Sequence, residues 1–258
     1  MKIIAILPEH KHCRDNTTMI PRFFFPLPLP AGGEVRLPDE LAHHAVRVLR
    51  LRDGEMVTLF DGDGGETAAQ LHVRGKECFA TLHGCNAVER ESPLQLVLVQ
   101  ALASGDKMDW IVQKAVEIGA VAIHPVQAER SVLRLVDERA AKRVAHWQQI
   151  AIAACEQSGR NRVPEIAPIR GLREYLADAH TARRLMFDPA AGGGLASLPK
   201  PDGAVHLLVG PEGGWSDAEL AACRSAGCTG IAIGPRVLRT ETAGLAAMAA
   251  MQALWGDY

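Results

Sequence analysis

The chain has 258 residues, 48% hydrophobic and 22% charged, the composition of an ordinary globular protein with room for one large or two small cores. Its apolar runs fall far short of the ~20 residues a membrane span needs, and its six cysteines form no C-x-x-C pair or zinc-spaced set, which points to reduced thiols and no metal. A formal net charge of −2 excludes a uniformly basic nucleic-acid-binding surface, so any RNA contact must rest on local arginine clusters.

Residues 1–18 hold one short apolar run, Ile3 to Leu7, followed at once by charge and histidines; this is too short for a signal segment. They are expected to lie outside the fold, as a disordered tail or as sequence upstream of the true start. Residues 19–88 read as a small β domain. Short β-prone runs predict strands at 23–25, 56–60, 68–73 and 78–82, and Asp61-Gly62-Asp63-Gly64-Gly65 predicts a hairpin. Leu41, Ala45, Val48 and Leu49 share one face, which predicts a helix over 41–49. Several short strands with one helix suggest a small barrel. From Met19 to Cys85, seven Lys and Arg oppose nine Asp and Glu, so this domain is not basic either. Arg47, Arg50 and Arg52 gather at the helix exit, where a solvated helix end accounts for them as well as phosphate contact does. His43 and His44 read as surface residues.

A charged linker over 88–93 leads into a second domain, residues 89–258. A strand is predicted at 94–99. Met108, Ile111, Val112, Ala115 and Val116 then recur at helical spacing, with Lys107, Lys114 and Glu117 on the polar side. A strand at 122–126 contains His124, which reads as a satisfied core or edge residue. A long helix over 137–156 buries Val144, Trp147, Ala151 and Ala154. Its exit, Gln157 to Arg162, carries two arginines and no acid. Gly159 is explained by helix termination; Arg160, Asn161 and Arg162 together suit phosphate or base contact. Strands at 166–169 and 184–187 flank a helix over 172–179, and a Gly/Pro loop fills 190–201.

The chemistry concentrates after residue 204. The run 205–209 is a buried strand, Gly210-Pro211-Glu212-Gly213-Gly214 a turn, and Ser216 with Glu219 a capping-box start for a helix. The pattern recurs: a strand at 230–233, a turn at Gly234-Pro235, a polar loop, and a helix over 241–255 that is apolar nearly all round. Two such units place two backbone-rich loops at the carboxyl ends of neighbouring strands, where open α/β sheets bind ligands. Neither loop is a dinucleotide fingerprint or a P-loop. The strand–helix alternation alone predicts a doubly wound, mostly parallel sheet.

Gly210-Pro211-Glu212-Gly213-Gly214 with Leu238-Arg239-Thr240-Glu241-Thr242-Ala243 resembles the ribosomal RNA small subunit methyltransferase E family. The likeness extends through Lys107 to Ala115, Glu129-Arg130-Ser131, Glu156 to Arg162 and Pro21-Arg22-Phe23-Phe24, and so spans about Met19 to Trp255. It implies an α/β SPOUT-type methyltransferase domain whose C-terminal segment forms a deep trefoil knot, preceded by a PUA-like β-barrel that contacts RNA. The implied reaction is S-adenosylmethionine-dependent methylation of uridine N3 in 16S ribosomal RNA, position 1498 in the usual RNA numbering. It would act on the 30S subunit, in the cytoplasm, as a homodimer and without metal.

The resemblance also implies residue roles. Leu208, Gly210, Pro211, Glu212, Gly213, Gly214, Ile233, Gly234, Pro235, Leu238, Thr240, Thr242 and Ala243 would hold the cofactor. Arg239 would stabilise charge on the uracil, and Glu241 would orient that arginine or act as base; a helix-start acid needs neither role. RNA contact falls to Arg22, Arg47, Arg50, Lys107, Arg130, Arg134, Arg160, Asn161 and Arg162. Two alternatives stay open: the same fold acting on another RNA target, such as a ribose 2′-hydroxyl of transfer RNA, and an RNA-binding assembly factor without transfer activity.

Overall fold

The computed structural model describes residues 20–178 and 182–258. The expectation for residues 1–18 lies outside them. In chain order the strands and helices are Arg22–Phe24 (β1), Gly33–Arg36 (β2), Asp39–His43 (α1), Met56–Phe60 (β3), Glu66–Arg74 (β4), Glu77–Asn86 (β5), Leu96–Ala101 (β6), Lys107–Glu117 (α2), Ala120–Gln127 (β7), Asp137–Ser158 (α3), Glu165–Ile166 (β8), Arg170–Gly171 (β9), Leu172–Ala177 (α4), Arg183–Phe187 (β10), Val205–Val209 (β11), Asp217–Ser225 (α5), Thr229–Ile231 (β12) and Thr240–Trp255 (α6). No helix among the described residues is long and apolar enough to cross a membrane.

The front part is a five-stranded sheet in the order β1-β3-β4-β5-β2, around a core that includes Phe23, Phe25, Val57, Leu59, Leu71 and Ala80. Asp61 to Gly65 joins the antiparallel pair β3 and β4, as the hairpin signal predicts. Two local readings differ. The helix expected over 41–49 is α-helical only to His43; His44–Val48 continue as one π turn, with Leu49 N–H donating to the His44 carbonyl. Arg50, at φ 59°, then ends it in a left-handed conformation. The strand Gly33–Arg36 was not predicted, because a four-residue, mostly exposed edge strand carries almost no alternation signal.

The back part is a seven-stranded, all-parallel sheet. Its main path runs β12-β10-β11-β6-β7-β8, and β9 also pairs with β7. Strands β6 and β11, buried along their whole length, form the middle. Side chains alternate across the sheet. Leu207 and Val209 enter a core shared with α2, α3 and α6, while Leu208 enters a second core with Tyr175, Trp215 and Cys223 on the side of α4 and α5. Helices therefore cover both faces. The strand expected over 166–169 is two short pieces, β8 and β9, interrupted at Pro168; a proline donates no ladder hydrogen bond. The helix expected to residue 179 is described to Ala177. The 190–201 loop contains one 3₁₀ turn, Leu195–Ser197.

The last unit decides where the site lies. The chain reaches the sheet edge at β12, and α6 then returns to pack on α2, β6 and β11. Its approach is close because residue 244 is glycine: a Cβ there would stand 2.9 Å from Leu98 Cδ1 and 3.1 Å from Val209 Cγ2. Gly244→Val should therefore destabilise the protein by about 1–3 kcal/mol through overpacking. The check is urea unfolding: the midpoint should fall at unchanged slope, and an unchanged midpoint would show that α6 can back away from the sheet.

Candidate active site and the clasp between the two sheets

Two loops meet at the carboxyl ends of β10, β11 and β12. Residues 210–215 follow β11, and 232–239 follow β12. Between them lies a cavity of about 390 Å³ with Val209, Ile231, Ile233, Val237 and Leu238 on its walls. That size and apolar character suit a nucleoside-sized group. The first loop is anchored by the capping box expected from sequence: Glu219 N–H donates to Ser216 Oγ at 3.1 Å, and Ser216 N–H to Glu219 Oε2 at 2.9 Å. At Gly210 an added Cβ would stand 3.3 Å from the Trp215 indole, so a side chain there would press the indole back by a few tenths of an ångström.

The loops are tied to each other through one hydroxyl. Thr240 Oγ1 donates to the Gly210 carbonyl at 2.6 Å and accepts from Gln100 Nε2 at 2.9 Å. Gln100 is fully buried in β6, and Thr240 is the first residue of α6. The second tie is ionic. Glu212 Oε1 accepts from Ser104 N–H, Ser104 Oγ and Lys107 Nζ at 2.9, 2.7 and 2.9 Å. Burial works against ionisation of Glu212, but the Ser104 and Lys107 hydrogen bonds outweigh it and hold the carboxyl down at about 2.

Ten of the thirteen expected cofactor contacts line this cavity: Gly210, Pro211, Glu212, Gly214, Ile233, Gly234, Pro235, Leu238, Thr240 and Ala243. Three do not. Leu208 points into the opposite core, as strand alternation requires of the neighbour of Val209. Gly213 faces Arg130, whose Cβ would lie 3.0 Å from an added Cβ. Thr242 is exposed on the first turn of α6. Arg239 and Glu241 line the cavity. Arg239 is exposed; its carbonyl accepts from Thr242 and Ala243 N–H at 2.9 Å, and its side chain makes no hydrogen bond or ion pair among the described residues. Sequence reading missed Trp215 and Asp188. Asp188, just past β10, accepts from Ala190 N–H and pairs with Arg224 at 3.1 Å. Its position depends on strand order, which local pattern does not carry.

The expected RNA residues divide sharply. Arg160 is 5% exposed. Its guanidinium grips both oxygens of Glu91 and donates to the Val116 and Ala120 carbonyls at 2.8 and 2.9 Å. Asn161 is fully buried, donating to the Val88 carbonyl and accepting from Arg22 at 2.6 Å. Arg22 also pairs with Glu66 at 2.6 Å, and its guanidinium lies 5.2 Å from the centre of the Phe60 ring. Arg160 and Asn161 are buried with their polar groups engaged inside the chain, and for these two the expectation of phosphate contact is corrected; Arg22 is half-buried and engaged by Glu66 and Asn161. They form a clasp that joins the exit of α3 to the front sheet. Phe24 N–H extends it by donating to Glu156 Oε1. Lys107 lies inside the cavity, and Arg130 donates to the Gly213 and Trp215 carbonyls. Arg47, Arg50 and Arg134 are exposed, as is Arg162, which pairs with Glu89 at the surface.

Comparison with known proteins agrees with this layout. The family model for an RNA methyltransferase domain matches residues 90–252, and that for an RNA methyltransferase PUA domain matches 37–82. Ribosomal RNA small subunit methyltransferase E of Bacillus subtilis is 33% identical over 83% of this chain and 88% of its own. The structure of the protein of that name from Neisseria gonorrhoeae, bound to S-adenosyl methionine, is 45% identical, with TM-score 0.87 over 93% of this chain and 99% of its own. A Legionella pneumophila methyltransferase in complex with the same cofactor is 36% identical, with TM-score 0.88 over the same shares.

The clasp has a pH signature. The Arg90 hydrogen bond, with those of Arg22 and against the cost of burial, holds Glu66 down at about 2. A depressed carboxyl stabilises the fold above its unfolded value, near 4.3, and loses that contribution as pH falls through its folded value. Between about pH 4.5 and 2 the wild type should therefore lose more stability than Glu66→Gln. Denaturant unfolding across that window checks it; parallel curves for the two proteins would show that Glu66 does not carry the clasp.

Proposed function

We propose that this chain, which belongs to the ribosomal RNA small subunit methyltransferase E family, transfers a methyl group from S-adenosylmethionine to N3 of a uridine in 16S ribosomal RNA. Membership makes it an S-adenosylmethionine-dependent RNA methyltransferase; the uridine N3 target is the finer part of the proposal. One observation carries it: Arg239, whose side chain has no partner among the described residues, and a carboxylate, Glu241, line the same apolar, backbone-rich cavity. The residues present fit the cofactor, since Gly210, Pro211, Ile233, Pro235 and Leu238 offer apolar faces and close backbone approach. When bound there, S-adenosylmethionine supplies an already activated methyl group.

The remaining work belongs to the chain. Uridine N3 is protonated at neutral pH, so a proton must leave it and the charge then shared by O2 and O4 must be stabilised. The planar fork of Arg239 suits that charge, and lacking a protein partner it needs no exchange of bonds to serve. Exposed Arg47, Arg50, Arg130, Arg134 and Arg162 are the cations we assign to the phosphate backbone, a small set for a chain of net charge −2. We assign the site of action to the cytoplasmic small ribosomal subunit. The return of α6 is read as the knotted segment, and its outer end, with Leu254 50% exposed, as part of a homodimer surface.

The test uses 30S particles that lack the modification, incubated with the protein and labelled cofactor. Nucleoside mass spectrometry should find the label in 3-methyluridine; label in a ribose methyl group, or in no nucleoside, would refute the target. Arg239→Ala should bind the cofactor normally by calorimetry yet transfer methyl at least about a hundredfold more slowly. A near-normal single-turnover rate would remove Arg239 from the chemistry.

A further inference from the structure

The loop that follows β11 is held on two sides. On one side Glu212 is fixed by Ser104 and Lys107. On the other it rests on the connection between β7 and α3. Gly213 lies so close to that connection that an added Cβ would stand 3.0 Å from Arg130 Cβ. Arg130 Nη1 donates to the Gly213 carbonyl at 3.1 Å and to the Trp215 carbonyl at 3.2 Å. One residue earlier, Glu129 N–H donates at 2.8 Å to Glu219 Oε1, the oxygen that the capping box leaves over. The connection is itself tied. Ala128 N–H donates to Ser131 Oγ at 3.3 Å, and Arg134 Nη2 donates to the Glu129 carbonyl at 3.1 Å.

Only one end of the Arg130 guanidinium is spent on these contacts. The two Nη1 hydrogens serve the two carbonyls. Nε–H and both Nη2 hydrogens have no partner among the described residues, and there the side chain pairs with no carboxylate. Two carbonyls need donors and not a net charge, so a neutral amide would meet them as well. The charge is left over, on an exposed side chain. The Nε–Nη2 edge is also the planar fork that grips a phosphate through two parallel hydrogen bonds.

We propose that Arg130 couples RNA docking to cofactor binding: its Nη1 end braces the loop that lines the cofactor cavity, and its Nε–Nη2 edge takes a phosphate of the bound RNA. The inference rests on the RNA methyltransferase reading and is independent of which base is methylated. A phosphate on that edge leaves both Nη1 bonds in place. It also ends the free rotation of an exposed side chain, whose disorder works against the brace. RNA should then tighten the loop and with it the cofactor. By linkage the cofactor should tighten RNA by the same factor. Two simpler accounts compete. If Arg130 only braces the loop, its loss weakens the cofactor equally with and without RNA. If it only touches phosphate, its loss leaves cofactor affinity in the free protein unchanged.

The experiment measures binding of labelled S-adenosylhomocysteine, the product that has no methyl group to transfer, by equilibrium dialysis. It compares wild type, Arg130→Ala and Arg130→Lys, each free and bound to 30S particles that lack the modification. In wild type the particles should tighten the product by about fivefold or more. Free Arg130→Ala should bind it about threefold to tenfold more weakly than free wild type. In that variant the particles should no longer tighten the product, and the salt slope of particle binding should fall by about 0.7–0.9, the share of one phosphate. Arg130→Lys keeps a charge without the fork; it should keep most of the salt slope and lose the coupling. An unchanged coupling factor, an unchanged salt slope or an unchanged product affinity of the free protein in Arg130→Ala would overturn the proposal. If wild type does not bind the particles, the substrate reading falls and this inference with it. If wild type binds them and both variants couple as it does, this inference falls alone.

Discussion

The architecture of the site depends on a single buried hydroxyl. Thr240 Oγ1 bridges the side chain of Gln100, at the end of β6, and the carbonyl of Gly210, at the end of β11. It thereby fixes where α6 begins relative to two central strands that are far from it in sequence. Without that bridge the half-buried Gly210 carbonyl loses this partner, while Gln100 Nε2 keeps the Ala101 carbonyl at 3.0 Å; a buried group left unpaired costs about 1–3 kcal/mol. The two cavity loops are then positioned by consequence: 210–215 departs from the strand that Thr240 holds, and 232–239 ends on the helix that Thr240 starts.

Charge is arranged around this neutral bridge in two separate networks. One lies in the cavity, where Ser104, Lys107 and Glu212 join the start of α2 to the loop after β11. The other lies at the exit of α3, where Arg22, Glu66, Arg90, Glu91, Arg160 and Asn161 lock the front sheet to the back one. Buried pairs of the second kind are expensive to desolvate and add little net stability over an apolar packing, but breaking one partner is costly. Their effect is to fix orientation. The sheet that offers Arg47 and Arg50 is held in one position relative to the cavity.

Strong local signals translated well into structure. The five buried residues of β11 form a strand with the boundaries read from their apolar run, and Ser216 with Glu219 forms the capping box their spacing announced. The place of the cavity was legible because glycine and proline mark its two backbone-rich loops; the individual lining residues came with the family resemblance. The clasp was not legible. Arg160 and Asn161 follow a helix end among polar residues and look exposed; their burial depends on Glu91, Val88 and Arg22, which lie far away along the chain. Local charge counting treats an arginine without a neighbouring acid as free, and here the acid comes from the linker between domains. The ion pair of Lys107 with Glu212 was not legible for the same reason, since Glu212 reaches it only once the sheet is ordered β11-β6.

The most direct measurement of this account is the affinity of Thr240→Val for S-adenosylmethionine by calorimetry. The substitution keeps the shape of the side chain and removes the bridge. Loosening both loops should weaken binding by about tenfold or more in a protein that is still folded by circular dichroism. An affinity equal to that of the wild type would contradict the claim that this hydroxyl assembles the site.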